Sequence, residues 1–171
     1  MDITRKTEKK MQLRKETTQQ QTISANELFR QKYSTLDTLC SAFYDSIEEM
    51  HAINKHNNYE RKIKGKIIIE LKNIVKGFSE DTNMLNEHIA CADSCTDGLY
   101  SVFIKDMPTL KREDHLLFLY QTMGFSPRSI ALFLNKNLDV VYNRKSRLKA
   151  KIKKSLSSRR DEYLSVFYHV H

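Results

Sequence analysis

The chain has 171 residues, 40% of them apolar and 29% charged, with a formal net charge of +8. That length admits one or two small domains with a real core. Four glycines and two prolines argue against an all-β fold rich in tight turns, and no stretch approaches the roughly 18 apolar residues that cross a membrane. The N-terminal MDITRKTEKK has no apolar stretch after its basic residues and is not expected to be a secretory signal. Cys40, Cys91 and Cys95 are too few for a disulfide framework and read as reduced thiols of a cytoplasmic protein.

Residues 1–23 are polar and rich in Gln, Thr and Lys, an arm expected to be frayed helix or disordered. A helix is predicted to start near Ser24 or Asn26, both good N-caps. Phe29, Tyr33, Leu36, Cys40, Phe43, Ile47 and Met50 then recur at alternating steps of four and three, a heptad stripe. Such a stripe is most often ordinary helix core and otherwise the seam of a partner helix; what speaks for the seam is its length and narrowness. A second helix is predicted over 59–76, with Ile63, Ile67, Ile68, Leu71, Ile74 and Val75 apolar and Gly77 as its stop. A third is predicted from Ser79, followed by the acids Glu80 and Asp81, as far as Met107-Pro108.

After Pro108 come three shorter segments with tight joints. The first, about 111–123, is broadly apolar through Leu116, Leu117, Leu119, Tyr120 and Met123. Gly124-Phe125-Ser126 breaks it. Ser126 can cap the second segment, Pro127–Leu134, whose proline sits where a missing N–H costs nothing. Asn135-Lys136-Asn137 is a short turn, with Asn137 as cap of a third helix from Leu138 to about Lys154.

The surplus positive charge is local. Residues 126–160 hold eleven Lys or Arg against one acid, Asp139, a net of +10, whereas the rest of the chain holds 18 basic and 20 acidic residues. A field of that size asks for a polyanion. Two short helices, a three-residue turn and a basic third helix form a helix-turn-helix layout, whose last helix enters the major groove of DNA. At about 100° per residue, Leu148 and Ile152 fall within about 20° of Val141, so these three anchor the helix. The opposite face carries Tyr142, Asn143, Ser146, Arg147, Ala150 and Lys153. Tyr142, Asn143, Ser146 and Arg147 are the candidate base readers: Asn pairs with adenine and Arg with guanine through two hydrogen bonds each. Arg128, Lys136, Arg144, Lys145, Lys149 and Lys153 are the candidate phosphate contacts.

The stretch 110–154 resembles the LuxR-type and sigma-factor region-4-type helix-turn-helix at Gly124, Ser126, Ile130, Ala131, Leu134, Val141, Ser146, Arg147 and Leu148. GFSPRSIALFL with VYNRKSRLKAKIKKS is similar to the cytoplasmic end of bacterial regulators carrying tetratricopeptide repeats, a membrane helix and a helical coiled-coil segment. Lys136 and Asn137 stand where that family usually has an aliphatic residue and Ser. The resemblance implies sequence-specific DNA binding and transcription control, usually as a dimer, by either a stand-alone relative or the cytosolic part of a longer protein.

Elsewhere the chemistry is sparse. His88, Cys91 and Cys95 fall at i, i+3 and i+7 of one helix, but zinc sites usually draw pairs of ligands from separate segments, and no fourth ligand accompanies them. They read as small core residues. No Cys-His nucleophile with an oxyanion loop and no phosphate-cradling glycine loop is present. The tail, with Tyr163, Leu164 and Phe167 at helical spacing, is expected to pack on the body.

The expectation is thus an all-α protein with an elongated, coiled-coil-like helical segment followed by a compact helix-turn-helix domain. It divides into a polar arm (1–23), a helical dimerisation or signal-relay segment (24–107), a DNA-binding domain (108–160) and a tail (161–171). It is read as a cytoplasmic transcriptional regulator rather than an enzyme, without cofactor or metal. Its expected partners are double-stranded DNA, a second copy of itself, and a transcription-machinery or upstream sensor protein. The alternative is a protein-interaction module with a coiled-coil seam and a basic docking helix.

Overall fold

The computed structural model describes residues 2–53, 65–66, 68–70, 73, 75–77 and 79–168. Among them there is no strand, and the fold is all-α. In chain order the helices are α1 (Asp2–Ile53), α2 (Thr82–Cys95), α3 (Leu99–Asp106), α4 (Arg112–Thr122), α5 (Pro127–Phe133), α6 (Leu138–Lys154) and α7 (Arg160–Ser165). Among the described residues, no helix is long and apolar enough to cross a membrane.

The backbone is helical from Asp2, so Ser24 and Asn26 lie inside α1 rather than capping it. The contacts divide the chain into two compact units, 1–32 and 33–171. That division falls within α1 rather than at Pro108, because the core runs continuously from Cys40 to Phe167. In the second unit the heptad stripe serves this core. Cys40 and Ile47 are buried, and Tyr33, Leu36, Phe43 and Met50 pack partly against the same cluster. The Phe29 side chain lies outside the described residues, as do 59–64, 67, 71, 72 and 74 of the second predicted helix. Its described residues are helical, with Ile68 buried. Gly77 is itself helical.

The third predicted helix differs in two ways. Its start belongs to Asp81, whose carboxylate accepts from the N–H groups of Asn83 at 2.8 Å and Met84 at 3.0 Å. Ser79 is instead buried and donates its hydroxyl to the Lys76 carbonyl. It is also broken at Thr96–Gly98, where Asp97 and Gly98 adopt positive φ of 51° and 74°. The Gly98 N–H bonds back to the Asp93 carbonyl at 2.9 Å, closing α2. The Asp93 carboxylate then accepts from the Tyr100 and Ser101 N–H groups and the Ser101 hydroxyl, opening α3 from the previous helix.

The next two joints repeat the same chemistry. Gly124 (φ 84°) follows α4, with Phe125 N–H bonded to Tyr120 C=O at 3.0 Å and Gly124 N–H to Gln121 C=O at 3.1 Å. Asn135 (φ 49°) follows α5, with Lys136 N–H bonded to Ala131 C=O at 2.9 Å and Asn135 N–H to Leu132 C=O at 3.1 Å. Both are left-handed stops with paired 6→1 and 5→2 bonds, and they reverse the chain in few residues. Ser126 caps α5 with Pro127 at its first position, as predicted.

Helix α4 runs through the middle of the unit, with every residue from Leu116 to Tyr120 buried. Phe118 stacks on Phe103 of α3 with centroids 3.7 Å apart, and Tyr163 of α7 meets both rings edge-on. Tyr120, Phe125 and Phe133 form a second aromatic group between α4 and α5. The tail packs as expected: Tyr163 and Phe167 are buried, and the Tyr163 hydroxyl donates to Asp106 at 2.7 Å. Burial, and that bond to Asp106, push the Tyr163 phenol up to about 12. Phe118→Ala empties the centre of this packing and should cost about 3–5 kcal/mol in urea unfolding. A loss under about 1 kcal/mol would contradict the packing of α3, α4 and α7 described here.

Candidate nucleic-acid interface

Helix α6 is pinned by Val141, Leu148 and Ile152, each at most 1% exposed. These are the three anchors expected from a 100° step. Its termini suit the helix dipole, with Asp139 in the first turn and Lys151, Lys153 and Lys154 in the last. Asn137 holds the N-cap position, but its side chain makes no capping bond. The Leu138 N–H instead donates to the hydroxyl of Tyr44 in α1 at 3.2 Å.

A buried carboxylate sets the rotation of α6 about its own axis. Asp114, in the first turn of α4, is 4% exposed. Its two oxygens receive Arg144 Nη1 and Lys151 Nζ, each at 2.9 Å. Burial alone would raise its pKa; the hydrogen bonds and charges of Lys151 and Arg144 outweigh it and hold the carboxyl below its ordinary value. Glu113 beside it takes Arg144 Nη2 at 2.5 Å and Lys136 Nζ at 3.4 Å. Arg144 and Lys151, seven residues apart, thus turn one flank of α6 toward α4.

Among the described residues, no acid pairs with the opposite flank. Lys145 lies 5.8 Å over the Phe167 ring and Lys149 lies 5.6 Å over the Tyr168 ring. Burial, with a further contribution from Lys149, lowers the Lys145 pKa from its ordinary value. Between the flanks, Tyr142, Asn143, Ser146, Arg147, Ala150 and Lys153 are all exposed. No hydrogen bond or ion pair to another described residue engages the side chains of Asn143, Ser146, Arg147 or Lys153. Val140 and Tyr142 are exposed apolar surface at the same end, at 40% and 48%.

The structure therefore brings the four candidate base readers onto one open face and sorts the candidate phosphate contacts into two groups. Arg128, Lys136 and Arg144 each have a carboxylate partner: Asp45 for Arg128, with Nε 2.7 Å from Oδ1, and Glu113 or Asp114 for the others. Lys145, Lys149 and Lys153 have none among the described residues. Sequence reasoning missed the residues of α1 that meet this domain. Asp37 Oδ1 accepts the Ser126 N–H at 2.8 Å, the Ser41 hydroxyl lies 2.7 Å from that of Ser126, and Tyr44 and Asp45 act as described. The available signal was a polar row one position after the heptad stripe: Asp37, Ser41, Tyr44 and Glu48 follow Leu36, Cys40, Phe43 and Ile47.

His88 and Cys91 are buried in α2 and Cys95 is half-buried. The His88 ring meets Tyr33 edge-on at 6.0 Å. Among the described residues, no three His, Cys, Asp or Glu side chains are grouped to hold a metal ion, and all three cysteines are free thiols. Comparison of the chain with family models, curated proteins and solved structures finds no match.

Asp114→Asn should cost about 1–3 kcal/mol at neutral pH, because two cations then face a neutral amide. The folded-state pKa of Asp114 is depressed, so its contribution is complete above the unfolded-state value and disappears as pH falls through the folded one. Urea titrations of wild type and variant should therefore differ by a constant amount near neutrality and converge in acid. A gap that persists at low pH would assign the loss to packing rather than charge.

Proposed function

We propose that this protein is a sequence-specific DNA-binding transcriptional regulator whose α6 reads the major groove, acting in the cytoplasm. The observation that carries the reading is the open face of α6. Asn143, Ser146 and Arg147 stand exposed and without partners among the described residues, on a helix whose apolar side and one basic flank are fixed to its own domain. Central donors of this kind suit base edges, and the flank of Lys145, Lys149 and Lys153, unpaired with acids among the described residues, suits one phosphate wall. The helix-turn-helix layout and the resemblance to LuxR-type and sigma region-4-type domains support the same reading.

The reading includes a homodimer on two half-sites about one helical turn apart. From Tyr33 to Met50 the heptad stripe is spent on the chain's own core, so a second copy is held by a different surface. No catalytic role is proposed.

Selection of bound duplexes from a random pool should yield a preferred site. On that site Asn143→Ala and Arg147→Ala should each lose about 1–3 kcal/mol of discrimination against random DNA. Lys149→Ala should weaken both DNAs alike and flatten the salt dependence by about one unit of slope. Equal losses on both DNAs for all three variants would overturn the base-reading assignment. Absence of binding to any duplex at low salt would overturn the DNA reading itself. Sedimentation of the protein with a duplex carrying the selected site should give two chains per duplex; a single chain at saturation removes the dimer.

A further inference from the structure

The geometry points to a second role for α1: we propose that its Tyr33–Ile53 stretch is a latch that competes with DNA for the helix-turn-helix and holds it in a weak-binding state. This rests on the DNA reading above. When such a motif docks, its first helix crosses the sugar-phosphate backbone and the N-terminal residues of its recognition helix meet the bases. Helix α1 already lies on both places. Asp45 holds Arg128 of α5 with a 2.7 Å ion pair. Asp37 and Ser41 bond to Ser126, and the Asp37 carbonyl accepts the Ser129 hydroxyl at 3.1 Å. Tyr44 holds the first N–H of α6. Asp37 and Tyr44 are two turns apart, about 10 Å along the helix. A duplex approaching the ends of α5 and α6 therefore meets α1, and Arg128 cannot serve a phosphate while it serves Asp45.

The contact is also of a kind that can open. Between Asp37 and Met50 two side chains, Cys40 and Ile47, are fully buried, while Phe43, Tyr44 and Met50 cover the core only in part. The Arg128 and Asp45 side chains are about half exposed, at 49% and 52%, and such surface pairs are weak. The middle of α6, with Asn143 and Arg147, stays open while α1 is docked. DNA can engage there first and then displace the latch, which frees Arg128 as an additional phosphate contact.

A staple tests this. The Ser41 and Ser126 hydroxyl oxygens are 2.7 Å apart, so S41C/S126C should form a disulfide that keeps α1 in place. Peptide mapping confirms the bond, and reduction returns the same polypeptide to the unlocked state. In fluorescence anisotropy with random-sequence duplex, the oxidised form should bind about ten-fold or more weakly than the reduced form. D45A, a surface change that leaves the core intact, should bind several-fold more tightly than wild type. Its salt dependence should be steeper by about 0.9 in slope, one phosphate contact. Equal affinity of oxidised and reduced forms, or a D45A indistinguishable from wild type, overturns the latch and leaves the DNA reading standing. Absence of binding by wild type, reduced S41C/S126C and D45A alike removes the DNA reading and the latch with it.

Discussion

A carboxylate buried to 4% exposure cannot stand alone, and Asp114 is satisfied only while Arg144 and Lys151 both reach it. The apolar anchors Val141, Leu148 and Ile152 hold α6 against the domain, but an apolar stripe tolerates some rolling about the helix axis. Two cations seven residues apart, fixed to one carboxylate, remove that freedom. Once the rotation is set, the face carrying Tyr142, Asn143, Ser146 and Arg147 must point away from α4. The surface offered by this protein is therefore a consequence of an internal ion pair, and its shape is defined before any partner arrives.

The same pairing changes the charge account. Of the eleven cations between Ser126 and Arg160, six have a carboxylate of another described residue within 4 Å: Arg128, Lys136, Arg144, Lys151, Arg159 and Arg160. The five others are Lys145, Arg147, Lys149, Lys153 and Lys154, all on α6. A polyanion thus meets a ridge along the middle and one flank of a single helix, not a field spread over the domain. Such a ridge directs orientation more than it adds affinity, because exposed cations at this density are screened beyond about 10 Å at ordinary salt.

Much of the second unit was legible in the sequence where the decisive chemistry is local. The Ser126 cap with Pro127, the stop at Gly124 and the anchors of α6 each depend on a few adjacent residues or on helical spacing, and each stands where expected. Two of the misreadings come from side chains that reach far along the chain, and one from competition between adjacent caps. Asp93 reaches seven and eight residues forward to open α3, which splits a helix that periodicity reads as continuous. Asp81 outcompetes Ser79 as a cap because its carboxylate takes two N–H groups at once. Asn137 yields its capping role to a tyrosine 93 residues before it, since Tyr44 already stands over the Leu138 N–H.

The heptad stripe of α1 carries the most general lesson. Narrow apolar seams arise whenever a straight helix meets a convex body along one line, and that body can belong to the same chain or to a second copy. Spacing alone does not separate the two cases; the flanking polar residues do. In an interchain coiled coil the positions beside the seam answer the same positions of the partner helix. Here Asp37, Ser41, Tyr44 and Asp45 answer Ser126, Ser129, Leu138 and Arg128. Those partners offer backbone N–H groups, hydroxyls and a guanidinium, the kinds of donor that also hold phosphates. A helix whose seam fits the domain's apolar surface, and whose Asp45 meets Arg128, joins packing to electrostatics at one contact.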